Sequence, residues 1–130
     1  MKDKTEKELT ENLEDYLYDI FEILKTVPVV RIKDLAEKRK VKLPSAVTAA
    51  KSLAKKNLIH YKKYGYITLT EEGKKVAKKI EERKEVLYKF LTEVLKVNPE
   101  TAERDVHKME HDISKETLEK IVEFTKKLLK

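Results

Sequence analysis

The chain has no cysteine, which excludes disulfides, thiolate metal sites and cysteine nucleophiles. Its only glycines, Gly65 and Gly73, cannot build a phosphate-cradling loop. With three prolines besides, chain breakers are so few that a helix-rich fold with few turns is expected. No apolar run approaches the roughly 20 residues that span a bilayer, and the opening MKDKTEKELTENLEDY has no signal-peptide core. The expectation is a soluble, cytoplasmic protein without a membrane partner. Charge, by contrast, is plentiful: 42% of residues are charged, the net charge is +6 and the pI is near 9.3. Such an excess favours polyanionic partners, although the signs are mixed rather than blocked. A length of 130 residues suits one domain, or two small units, and leaves no room for a large catalytic domain.

Along the chain, Leu13, Leu17, Ile20, Phe21 and Leu24 recur at helical spacing behind an N-cap at Thr10 or Asn12, predicting a first helix that ends near Pro28. The stretch VVRIKDLAEKRKVKLPSAVTAAKSLAKKNLI predicts two short helices joined by a tight connection, with Ile32, Leu35 and Ala36 facing inward from one and Val47, Ala50, Leu53 and Ala54 from the other. Pro44 falls at the first turn of the second, where proline is tolerated. LIHYKKYGYITLT then predicts a hairpin with a basic tip. Helix, helix-turn-helix and hairpin together make a winged helix. A long amphipathic helix follows from Thr70 towards Leu95, with Gly73 where a capping glutamate could stand, and Asn98-Pro99 interrupts it. Helices from about Glu100 to Asp112 and from Ser114 to Leu129 complete the chain. The stripe Leu118, Ile121, Val122, Thr125, Leu128 and Leu129 on the last suits a core, or burial across a dimer axis. The expected fold is mainly α: an N-terminal winged helix-turn-helix over 1–72 and an all-helical domain over 73–130.

A recognition helix presents short polar and basic side chains from its first turns to the major groove, with flanking cations on phosphates. Here Lys42, Pro44, Ser45, Thr48 and Ala49 lie near the helix start, Lys51 and Lys55 follow, and Lys62 and Lys63 occupy the wing. Double-stranded DNA is the expected partner. No Arg, Asn or Gln stands in the recognition turns to make bidentate base contacts, so shape and water-mediated readout are expected to contribute.

HKMEH, residues 107 to 111, matches the His-x-x-Glu-His pattern of one group of zinc peptidases. At about 100° per residue, Glu103, His107, Glu110 and His111 share one arc of the helix. Ala102, Val106, Met109 and Ile113 take the adjoining arc, so the four lie at the edge of a core with Glu110 innermost. Carboxylate and imidazole donors there suit a divalent metal; the plain alternative is a solvated polar edge. A peptidase is excluded, because the single amphipathic helix after His111 cannot supply a third ligand, a substrate cleft and a specificity pocket. The chain is not expected to be an enzyme.

With EDYLYDIF on the first helix, LPSAVT in the helix-turn-helix, a wing, a long helix and then DVHKMEHDIS, nearly the whole chain resembles the diphtheria toxin repressor and manganese transport regulator family. It looks like the short branch without an SH3-like domain. The resemblance implies a homodimeric, metal-dependent repressor of iron or manganese homeostasis whose winged helices grip an operator. It also implies that the all-helical domain binds metal and dimerises. In the family a first-helix ligand stands where this chain has Asp15, and Glu110 and His111 match ligand positions. His107 takes a place filled elsewhere by Glu or Cys, and Glu103 is a further candidate. Tyr18, Lys84 and Tyr88 depart from the pattern, each replacing a ligand or an acidic residue. A single site is therefore expected, with the Lys84 ammonium standing at the lost second-metal position. Fe(II) is expected ahead of Mn(II), with Co(II), Ni(II) or Zn(II) as substitutes. The alternatives are a winged-helix DNA-binding protein that has lost metal control and a helical interaction module without a DNA role.

Overall fold

The computed structural model describes residues 9–62 and 65–130. The chain divides into two compact units, residues 1–78 and 79–130. None of the described helices is long and apolar enough to cross a membrane.

In the first unit, α1 spans Glu11–Ile23. It begins where expected, because the Thr10 hydroxyl accepts a hydrogen bond from the Leu13 amide at 3.1 Å and Glu11 and Glu14 sit in the electropositive first turn. It ends earlier than expected. After it the chain extends into β1, Val30–Arg31, which pairs antiparallel with β3, Tyr66–Leu69. The sequence reading gave this segment to the helix-turn-helix; two residues are too few to show strand periodicity. The sheet order is β1-β3-β2, with β2 at Ile59–Lys62. Ile67 at its centre faces Val30 on one side and Tyr61 on the other, and is fully buried.

The helix-turn-helix is formed by α2, Ile32–Arg39, and α3, Leu43–Lys55. Lys40 takes the left-handed conformation, φ 58°, that ends α2; its N–H donates to the Glu37 carbonyl while the Val41 N–H reaches the Ala36 carbonyl. Pro44 lies in the first turn of α3 as expected. The buried face of α3 carries Ala46, Ala49, Ala50 and Leu53, small side chains that let it pack closely against its neighbours. This corrects one expectation: Ala49, placed among the DNA-facing residues, is buried, because the inward arc of α3 is turned about the helix axis towards Ala46 and Ala49 and away from Val47 and Ala54.

Thr70 closes the wing. Its hydroxyl donates to the Asn57 carbonyl at 2.8 Å and accepts from the Gly73 amide at 2.9 Å, capping α4, Glu71–Lys89. A Cβ on Gly73 would lie 1.9 Å from the Leu58 carbonyl oxygen, so glycine is required where a capping glutamate could otherwise stand.

In the second unit the long helix does not stay α-helical to Leu95. From Phe90 to Val94 it widens into a π turn, with the Leu95 amide bonding the Phe90 carbonyl and Lys96 left-handed beyond it. Asn98 caps α5, Pro99–Asp112, and Ser114 caps α6, Lys115–Leu128. Leu87, Leu91, Ala102, Val106 and Leu118 form the buried core of this unit.

Candidate metal centre and nucleic-acid interface

The α5 residues singled out by spacing differ sharply in environment. His107 is exposed and His111 half-buried, and their rings meet edge to face with centroids 4.7 Å apart. This i,i+4 geometry aligns two imidazole donors on one face, a donor pair suited to a divalent transition metal. Glu103, one turn earlier, is exposed.

Glu110 is the innermost of the set, its side chain only 5% exposed. Arg83 Nε donates to Oε2 at 2.9 Å and Lys84 Nζ to Oε1 at 2.6 Å, both cations arriving from α4. A buried carboxylate is costly unless paired, and here two cations neutralise it. Lys84, which stands for a ligand histidine in the resembled family, thus places its ammonium on the carboxylate of a residue expected to be a ligand. The donor set therefore fits a metal through its imidazoles, while Glu110 is already engaged by two cations.

In the first unit, Asp15 lies on α1 beside a second carboxylate one turn on. Arg39 Nη1 donates to Asp19 Oδ2 at 3.2 Å, and Nη2 lies 3.6 Å from Asp15 Oδ2. The guanidinium also stands over the Tyr16 ring, 5.5 Å from its centroid. Burial raises the Asp19 carboxyl above its ordinary value, an effect that the charge and hydrogen bond of Arg39 oppose. Tyr18 is half-buried with its ring 6.3 Å from Phe21, and Tyr88 packs on the core of the second unit; both departures are filled by packed aromatic rings.

On α3, Ser45, Thr48, Lys51 and Lys55 are all exposed at successive spacings of three or four, so they share one outward face, with exposed Lys42 and Pro44 at its start. Lys62 is exposed on β2; Lys63 lies outside the described residues. Sequence reasoning missed Arg31. It pairs with Tyr66 across the sheet, Tyr66 pairs with Lys62, and all three are exposed, which forms a row of two cations around an aromatic ring. The missed signal was strand β1 itself. Arg39, Asp19 and Arg83 were missed as well.

Two family models cover the chain: the iron dependent repressor N-terminal DNA binding domain matches residues 8–67. The iron dependent repressor metal binding and dimerisation domain matches residues 70–130. The chain is 37% identical over 117 residues to the transcriptional regulator MntR of Escherichia coli O6:H1, covering 90% of this chain and 75% of that protein. It is 36% identical over 121 residues to an HTH-type transcriptional regulator of Methanocaldococcus jannaschii, covering 92% and 96% respectively. Among solved structures it is similar to the manganese regulator SloR, at 26% identity and a TM-score of 0.68 over 89% of this chain and 54% of that one. A manganese-dependent transcriptional repressor in complex with manganese gives 25% identity and a TM-score of 0.73 over 87% and 52%. The chain spans about half the length of these two solved chains.

Proposed function

Because the chain belongs to the iron-dependent repressor family, whose members are transcriptional regulators rather than enzymes, we propose that it is a homodimeric repressor of metal-ion homeostasis that binds operator DNA in response to a divalent cation. The exposed face of Ser45, Thr48, Lys51 and Lys55 supplies the major-groove contacts, with Lys42 and Pro44 at its start. Lys62, Lys63 and Arg31 supply the phosphate contacts of the wing. Two-fold operators then carry half-sites about 34 Å apart, or a multiple of that.

The observation that carries the metal reading is the edge-on pair of His107 and His111, two imidazoles brought together on one helix face. We assign metal binding to these two, with Asp15, Glu103 and Glu110 as carboxylate donors. Glu110 joins at the expense of its contacts with Arg83 and Lys84, so one cation per subunit is the expected stoichiometry. A bound cation supplies positive charge and directed bonds to these donors. Two nitrogens among the donors favour Fe(II) over Mn(II), while Co(II), Ni(II) or Zn(II) bind as substitutes; the manganese in the names of the relatives is theirs.

The test is duplex binding to a fragment from the protein's own promoter region, after chelation and then with Fe(II) or Mn(II) restored anaerobically. Binding restored by one ion identifies the effector. His111→Ala is expected to weaken metal binding at least tenfold and to abolish metal-dependent DNA binding while leaving the thermal melt of the metal-free protein unchanged. Equal DNA binding with and without chelator would overturn the sensor reading in favour of a constitutive DNA-binding protein.

A further inference from the structure

Resting on the assignment of Asp15 as a metal donor, we propose that Arg39 is a built-in competitor for that donor: a positioning residue that raises the metal concentration at which the protein responds. Asp15 and Asp19, one turn apart on α1, share a single guanidinium delivered from the last turn of α2. The two contacts are unequal. The Asp19 contact, at 3.2 Å, is a hydrogen bond; the Asp15 contact, at 3.6 Å, is too long to be one and acts through charge alone.

Two further features keep the guanidinium in place without satisfying it. The ring of Tyr16 lies beneath it, and the negative end of α2 is close. Its Nε is buried and meets no acceptor among the described residues. Arg39 is therefore held chiefly by the two carboxylates. A divalent ion on Asp15 brings like charge towards the guanidinium, which then falls to Asp19 alone. Asp19 is buried and cannot be left uncompensated, so it keeps Arg39 in place. A charge-only contact of this length sets a modest penalty on metal binding, several-fold rather than several orders of magnitude.

The competition gives two substitutions opposite signs. Arg39→Met keeps an unbranched apolar side chain and removes the competitor, so the protein should bind metal about threefold to tenfold tighter. Asp19→Asn leaves the guanidinium to Asp15 alone, so binding should weaken about threefold or more. A merely structural role for the cluster would weaken both. The experiment is calorimetric titration of the full metal-free chain with Co(II), for the wild type, both variants, their double variant and Asp15→Asn. Tighter binding by Arg39→Met together with weaker binding by Asp19→Asn supports the proposal. Should Arg39→Met not fold, the double variant, which leaves no buried charge unpaired, decides the matter: it must bind tighter than Asp19→Asn. If removing Arg39 brings no tightening while Asp15→Asn loses tenfold or more, the competitor role falls and the metal assignment stands. If Asp15→Asn binds as the wild type does, Asp15 is no donor, and both fall.

Discussion

Glu110 shows how much one side chain can be asked to do. It is nearly sealed from solvent, and its two oxygens hold Arg83 and Lys84, each about one-fifth exposed. Removing its charge takes a shared carboxylate from two sheltered cations at once, whereas removing Lys84 leaves the carboxylate still paired with Arg83. Glu110→Gln should therefore cost about 2 kcal/mol and Lys84→Met clearly less. Thermal melts in chelator separate the two, and equal losses would mean that Glu110 does not anchor both cations. The inward position of Glu110 was legible from helical angles alone. Its partners were not, because they come from α4, and no spacing within α5 reveals a neighbour so distant in sequence. A compositional hint existed. The chain is rich in lysine and has only four arginines, yet two of the four, Arg39 and Arg83, meet sheltered carboxylates, Arg83 beside Lys84. Planar, weakly hydrated guanidinium tolerates such places better than ammonium does.

Among the elements, helix starts with strong periodicity were legible nearly to the residue: α1 behind Thr10, α5 just after the Asn98-Pro99 interruption, α6 at Ser114, although α1 ends short of Pro28. What escaped were features decided by tertiary contact. Strand β1 exists because β3 offers it hydrogen bonds, and its own two residues carry no pattern. The π turn after Lys89 interrupts a segment whose apolar spacing still reads as continuous helix. The start of α4 lies between these cases. Thr70 was readable as a cap, but only the structure explains Gly73, whose missing Cβ admits the Leu58 carbonyl. Both backbones are fixed there, one in a capped helix and the other in the turn that leads into β2, so neither yields cheaply. Gly73→Ala is expected to cost about 3 kcal/mol, against the small gain alanine brings to an ordinary helix position. In a chain of this size that lowers the melting temperature by about 10 °C. A variant that melts within a degree or two of the wild type would show that α4 can shift off Leu58.

For the whole molecule, the decisive feature is apolar surface on a chain so heavily charged. Leu128 and Leu129, at the end of the predicted stripe, are 53% and 37% exposed, and Phe124, which that stripe did not include, is 56% exposed, although Leu118 and Thr125 of the stripe are buried. Burial thus covers the inner part of that stripe within the chain and leaves its C-terminal end uncovered. A contiguous apolar patch on an otherwise charged helix marks an interface, and the dimerisation domain matched over residues 70–130 supplies the occupant, a second copy. Phe124→Glu adds charge where nothing in the single chain is displaced, so the monomer should fold normally while self-association is lost. Two DNA-binding units in one particle bind the second half-site at high effective concentration, and a monomer forfeits that gain. Operator affinity should fall about a hundredfold on this account, with the intrinsic metal affinity retained. Light scattering gives the mass and fluorescence anisotropy the affinity. A Phe124→Glu protein that stays dimeric and binds operator as tightly as before would place the interface elsewhere on the second unit.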